Sequence, residues 1–187
     1  MIDQFNRASN ENKTCDERSK QRHRGPVIMA SAPSTPKAGW EVKTLGELTE
    51  VVTKGTTPTS VGYKFTERGI AFVKVESINS EGHFLESKIA RINEDCHNTL
   101  KRSQLKAGDI LFSIAGALGR TAIVSKEILP ANTNQALAII RLKPSADVSL
   151  RFIEKALSTG FVLDQVEKLK GGVAQLNLSL SQVKSFR

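Results

Sequence analysis

The stretch LKAGDILFSIAGALGRTAIV, Leu105 to Val124, restricts the fold more than any other part of this 187-residue chain. A Gly-Asp pair opens it, the apolar run Ile110–Ile114 follows, glycines punctuate positions 116 and 119, and Arg120 leads into a second apolar run, Thr121–Val124. Short apolar runs suit either a strand or a buried helix. Here the flanking glycines and the β-branched Ile, Thr and Val decide for strand. Two strands joined by a glycine-rich connection are therefore expected at the centre of the chain.

Other segments extend that expectation. Ile70, Phe72, Val73 and Val75 form a run of strand formers with Lys74 and Glu76 as charged interruptions, and Ala136–Leu142 reads as a further strand. Towards the end the period changes. Leu150, Ile153 and Leu157, then Phe161, Val162, Val166 and Leu169, recur at helical spacing, broken by Ser158–Gly160. Gly171 and Gly172 are expected to stop the second of these helices. Ser179 and Gln182 form a capping box that opens a last helix, and Thr44 with Glu47 forms another near the start. The spacing of Leu45, Leu48, Val51 and Val52 predicts one helical face there, and Gly46 keeps that helix short. KGTTP, Lys54 to Pro58, is a loop because Gly55 and Pro58 interrupt either period. Strands in the middle and helices at the end predict a mixed α/β (α+β) domain, with a mixed, twisted β-sheet and flanking C-terminal helices.

Residues 1–38 differ in kind: polar and charged, then rich in Ser, Ala and Pro. Such a segment buries too little apolar surface to offset ordering entropy, so a flexible arm is expected over 1–38 and a single domain over 39–187. The run KQRHRG, Lys20 to Gly25, reads as a solvated stretch or as a basic arm grazing phosphates. The formal net charge is +8. It is not confined to the arm, which carries 7 basic against 4 acidic side chains, while the remainder carries 20 against 15. A basic domain suits a polyanionic partner such as DNA.

Several classes are excluded or disfavoured. Cys15 and Cys96 form no disulfide framework and no CxxC pair, and His23, His83 and His97 lack ligand spacing, so no metal is expected. The opening residues lack a cationic stretch followed by an apolar core, and no apolar run approaches the roughly 20 residues of a membrane span. A cytoplasmic setting without membrane contact is the expectation. Catalytic motifs also fail. No two of the six prolines are adjacent, as the base-holding loop of an adenine N6-methyltransferase requires. Gly116 to Gly119 lacks the third glycine of a dinucleotide turn and the Gly-Lys-Ser/Thr of a phosphate loop. Ser113 stands outside any G-x-S-x-G. Asp109 sits in a turn, where it would bond nearby backbone. With aromatic content of 5%, single-strand modules that stack bases on exposed rings are disfavoured.

What the sequence does offer is groups that could face a duplex. Lys54, Thr56 and Thr57 supply a cation and two hydroxyls in a loop, suited to backbone phosphates. Lys74, Glu76, Ser77 and Asn79 add donors and acceptors at a strand end. Arg120, beside Ser113, carries a planar fork that fits guanine O6 and N7 or a phosphate, with a solvated strand edge as the plainer reading. Asn134 and Gln135 can bind adenine or cap a turn, and Gln175 and Asn177 can contact DNA or precede the last helix. Gly116 and Gly119 are explained by turn geometry alone.

Taken in order, these blocks resemble the target-recognition domain of Type I restriction–modification specificity subunits. The blocks are GWEVKTLGEL (Gly39 to Leu48), KGTTP, IAFVKVESIN (Ile70 to Asn79), LKAGDILFSIAGALGRTAIV, NTNQALAIIRLK (Asn132 to Lys143) and GGVAQLNLSLSQVKSF (Gly171 to Phe186). The resemblance implies a non-catalytic, sequence-specific double-stranded DNA binder. It would hold one half of a bipartite site for methylation subunits, which bind S-adenosylmethionine, and for restriction subunits, which use ATP and Mg. This chain would carry no cofactor of its own. The family's final block runs on into a spacer helix that pairs two recognition domains or half-subunits, and the resemblance places Arg187 before that helix. The alternative is an interaction module that binds methylation or specificity subunits and modulates them without reading DNA.

Overall fold

A computed structural model describes residues 39–170 and 177–187. The arm expected over 1–38, the glycine stop at 171–172 and the candidate contact Gln175 lie outside the described residues.

The strand expected at Ile110 forms as β4 (Ile110–Ser113), and its partner as β5 (Thr121–Ile123). Both join β7 (Leu137–Leu142) and β1 (Thr49–Lys54) in a four-stranded antiparallel sheet of order β1-β7-β4-β5. A three-stranded sheet of order β3-β2-β6 is built from β2 (Ile70–Val73), β3 (Ala90–Ile92) and β6 (Ala131–Thr133). In it β2 runs antiparallel to β3 and parallel to β6. Strands and C-terminal helices appear as expected, but the strands divide between two sheets, of which the smaller is the mixed one.

Side-chain alternation explains why β4 and β7 read as unbroken apolar runs. Ile110, Phe112, Ala138 and Ile140 face one way, into a cluster with Ile153, Leu157, Val162, Val166, Leu178, Val183 and Phe186. These last come from α3 (Leu150–Ser158), α4 (Gly160–Lys170), α5 (Leu180–Lys184) and their flanks. Leu111, Leu137 and Ile139 face the other way, against Ala71, Val73 and Ala131 of the small sheet. The large sheet is thus covered on both faces, so neither face needs polar residues. The far face of the small sheet places Phe72 and Ile92 against Cys96 and Leu100, on and just after α2 (Glu94–Thr99). Burial in that apolar setting pushes the Cys96 thiol pKa up.

Both capping boxes form. Thr44 Oγ1 accepts from the Glu47 backbone, and the Glu47 carboxylate accepts from Thr44 N at 2.6 Å. Ser179 and Gln182 make the same reciprocal pair before α5. One expectation fails here. α1 is a single turn, Leu45–Leu48, and Val51 and Val52 belong to β1 instead of a helical face. Thr49, Val51, Val52 and Thr53 are β-branched, stiff at χ1 and suited to a pleated surface. Pairing with β7 supplies backbone partners that a longer helix would forgo. Val75 likewise leaves the expected strand for a 3-10 turn, Val75–Ser77.

Candidate nucleic-acid interface

Strand direction determines which loops meet. In the large sheet β1 and β4 both run antiparallel to β7, with Lys54 opposite Ala138 and Ser113 opposite Leu137. Their C-terminal ends therefore lie together at the start of β7. In the small sheet β2 and β6 are parallel, with Val73 beside Thr133. Their C-terminal ends also lie together, and the chain from Thr133 to Leu137 joins this end of the small sheet to that of the large one. Four loops separated in sequence thus leave the domain at one end: 55–57, 74–79, 114–120 and 134–136.

Hydrogen bonds lock these loops to one another. Gly55 N donates to Asn134 O at 3.1 Å. A Cβ on Gly55 would lie 1.9 Å from Thr133 O, so no larger residue permits this approach. Thr57 Oγ1 donates to Gln135 Oε1 at 2.5 Å. Arg120 Nη1 donates to Val75 O at 3.3 Å and Ile78 O at 2.8 Å, tying the glycine-rich loop to the turn after β2. Ile114 accepts from Leu178 N at 2.9 Å, which brings in the segment leading to α5. Gly116 and Gly119 have φ of 72° and 82°, the left-handed geometry that their turn reading requires. Glu154, buried on α3, accepts from Thr121 Oγ1 at 3.1 Å and has Lys155 Nζ at 3.4 Å from its other oxygen.

Besides Arg120, which is half-buried, the described candidate residues fall into three groups. Lys54 and Gln135 are exposed and Thr56, Thr57 and Asn134 half-buried, all in the paired 54–57 and 134–136 loops. Lys54 has no side-chain partner among the described residues. Lys74 is half-buried, its Nζ 2.8 Å from Glu76 Oε1 and 5.7 Å from the centre of the Phe65 ring. That Lys74 contact holds the Glu76 carboxyl below the usual carboxylate range. Asn79 Oδ1 accepts from Glu81 N and His83 N, an Asx turn that shapes its own loop. Asn134 Oδ1 accepts from Ala136 N in the same manner.

Ser77 and Ser113 form the third group, inside the fold. Ser77 Oγ donates to Lys88 O at 2.8 Å and accepts from Lys74 N. Ser113 Oγ donates to Ala117 O at 2.5 Å and accepts from Arg120 N at 2.8 Å. Both hydroxyls are consumed in shaping loops.

The structure adds residues that pattern reasoning passed over. The 3-10 turn Lys101–Ser103 lies against the 55–57 loop: buried Ser103 accepts from Thr56 N at 2.8 Å, and Arg102 Nη2 donates to Thr56 Oγ1 at 3.2 Å. Adjacent Lys and Arg were the available signal, but nothing in sequence ties them to residues some 46 positions earlier. At the opposite end, buried Asp109 takes two 2.7 Å bonds from Arg141 and one of 2.8 Å from Lys106 N. That carboxylate pushes the Arg141 guanidinium above its ordinary range. Asp109 thus bonds nearby backbone as its turn position implied, and also carries a buried ion pair. Among the described residues no group of three or more His, Cys, Asp and Glu could hold a metal ion, and no helix is long and apolar enough to cross a membrane.

Comparison with known proteins decides the family. The family model for the Type I restriction modification DNA specificity domain matches residues 37–187. The chain belongs to that family. The specificity domain is 30% identical over 118 residues to the Type I restriction enzyme EcoBI specificity subunit of Escherichia coli, an alignment covering 63% of this chain and 24% of that protein. Its fold is similar to that of a chain in a structure described as the basis of complex assembly and conformational transition of the type I R-M system, with TM-score 0.61 and 18% identity. It is also similar to the HsdS subunit from Thermoanaerobacter tengcongensis, with TM-score 0.60 and 16% identity. Each structural match covers 82% of this specificity domain and 38% of the other chain. The chain therefore spans about a quarter to two fifths of the length of these relatives.

Proposed function

We propose that this chain reads one half-site of double-stranded DNA for a Type I restriction–modification system. It acts as a non-catalytic specificity component, and methylation and restriction subunits carry out the chemistry. The observation that carries this reading is the convergence of four loops from two sheets at one end, with Lys74 and Arg120 on them, Lys54 at the end of β1 where one begins, and Lys101 and Arg102 on the adjoining 3-10 turn. A rigid, basic surface with amide and hydroxyl groups between its cations has what duplex recognition needs: cations to fix register on phosphates and polar side chains to meet base edges. S-adenosylmethionine, ATP and Mg belong in this reading to the partner subunits.

Selection of bound duplexes from a randomised pool near physiological salt, followed by sequencing, tests the proposal. Enrichment of one short, ungapped motif is expected. A natively folded chain that enriches nothing would contradict it.

One feature favours the second reading, an interaction module that does not read DNA. Exposed Trp40, Val42, Phe152 and Phe161 line a groove of about 800 Å³ beside the segment joining β7 to α3. Apolar surface of this kind marks protein contacts more often than nucleic-acid contacts. Under that reading the chain holds methylation or specificity subunits and shows no salt-dependent duplex binding to lose.

A further inference from the structure

The Lys101–Ser103 turn is held in place by a buried polar network. Asn132 Nδ2 donates to Leu100 O at 3.2 Å, and Asn132 Oδ1 lies 2.5 Å from His97 Nδ1. Gln104 Nε2 donates to His97 O at 2.9 Å, and Gln104 forms a β-bridge with Asn132. Asn132 and Ser103 are fully buried, so the turn is fixed to β6 from beneath while Lys101 and Arg102 stay exposed.

The arginines of this domain differ in how their charge is met. Arg141 is paired with Asp109 and Arg91 with Glu86. Arg102 has no acidic partner among the described residues. It spends one N–H on Thr56 Oγ1 and leaves the rest of its fork to solvent. A solvated arginine on a flexible loop would be unremarkable. Here the guanidinium is anchored at one corner, on a fixed turn, beside the loop that carries Lys54. The next residue, Thr57, bonds Gln135. Two consecutive threonines therefore connect Arg102 to a side chain suited to a base edge.

We infer that the Lys101–Ser103 turn is a second phosphate-binding arm of the interface, with Arg102 the contacting residue and Thr56 its positioning partner. The ligand is the DNA backbone, whose oxygens match a planar fork of donors. Arg102 fixes the register in which Gln135 meets the bases and carries no sequence information itself. This inference rests on the DNA-reading proposal above.

Equilibrium binding of the full chain to its selected duplex and to a scrambled duplex, across a range of ionic strength, tests it. Arg102→Ala is expected to lower affinity about fivefold on both duplexes and to reduce the salt slope by about 0.9, the share of one phosphate. Arg102→Lys should restore the slope. Thr56→Val should weaken binding in the parent chain and add little in the Arg102→Ala background, because the two act as a unit. Arg102 is exposed, so thermal unfolding should not change. An unchanged slope for Arg102→Ala, with the parent chain still binding, would overturn this inference and leave the DNA reading intact. A loss on the selected duplex alone would also overturn it, since Arg102 would then be reading bases. Absence of any duplex binding by the parent chain would remove both.

Discussion

The two ends of the large sheet treat charge in opposite ways. At the end where β4 begins and β7 finishes, Asp109 and Arg141 meet in a two-point ion pair around a carboxylate with no solvent exposure. Lys143 there donates to Glu47 O at 2.7 Å. Polar groups at this end are turned on one another, and they hold strand ends together. At the other end, Lys54, Lys101 and Arg102 face solvent, and the loops are tied through backbone, hydroxyls and amides and through the Arg120 guanidinium on two carbonyls. No carboxylate pairs with Lys54, Lys101 or Arg102 among the described residues, so their charge stays open to solvent. The difference separates two tasks within the same strands: one end stabilises the fold, and the other presents a surface of preset geometry.

The largest expected effect comes from breaking the closed end. Arg141→Met leaves the Asp109 carboxylate buried without its partner, and unfolding in denaturant should show a loss of about 3–5 kcal/mol. Duplex selectivity of the folded fraction should be unchanged. A loss below about 1 kcal/mol would mean that solvent screens this pair as it does surface pairs, and the contrast between the ends would fail.

Gly55→Ala strikes the open end where it has least room. The new Cβ meets the Thr133 carbonyl, so the 55–57 loop must lift from β6, at a cost of about 3 kcal/mol. Duplex affinity should fall on every sequence, measured by titration at fixed salt. Stability loss without any loss of binding would show that the loop's position is irrelevant to DNA.

Smaller and more discriminating effects separate two cations. Lys54→Ala should weaken all duplexes alike and lower the salt slope by about 0.9. Arg120→Ala should instead reduce discrimination between matched and scrambled duplexes by about 1–3 kcal/mol. Its guanidinium braces Val75 and Ile78, so the turn bearing Lys74, Glu76 and Asn79 loses its support along with the fork. Equal losses on matched and scrambled DNA for Arg120→Ala would count against its part in reading.

What sequence could show follows from how local each signal is. The strands at Ile110, Thr121 and Leu137 were legible because both faces of their sheet are covered, which concentrates apolar residues in short runs. The caps at Thr44 and Ser179 were legible because a box is complete within four residues. β1 was read as helix because Leu45, Leu48, Val51 and Val52 also fit helical spacing, and only pairing with β7 settles the matter. β3 and β6 carry three residues each, with Arg91 and Asn132 at their centres, too short and too polar to register as strands. Ser77 and Ser113 looked available because a hydroxyl reads as polar whether it meets solvent or a carbonyl. Residues that could meet DNA were found loop by loop. Their convergence was not legible, because it depends on strand direction and register. Arg102 and the Asp109–Arg141 pair escaped for the same reason, each joining residues more than thirty positions apart.

Hydrogen–deuterium exchange of the chain, free and saturated with its selected duplex, tests the central claim most directly. New protection is predicted at 54–57, 74–79, 101–103, 114–120 and 134–136, with none at Thr44–Glu47, Lys106–Asp109 or Arg141–Lys143. Protection centred on the Asp109–Arg141 end, or spread without preference between the two ends, would contradict the assignment of the DNA surface.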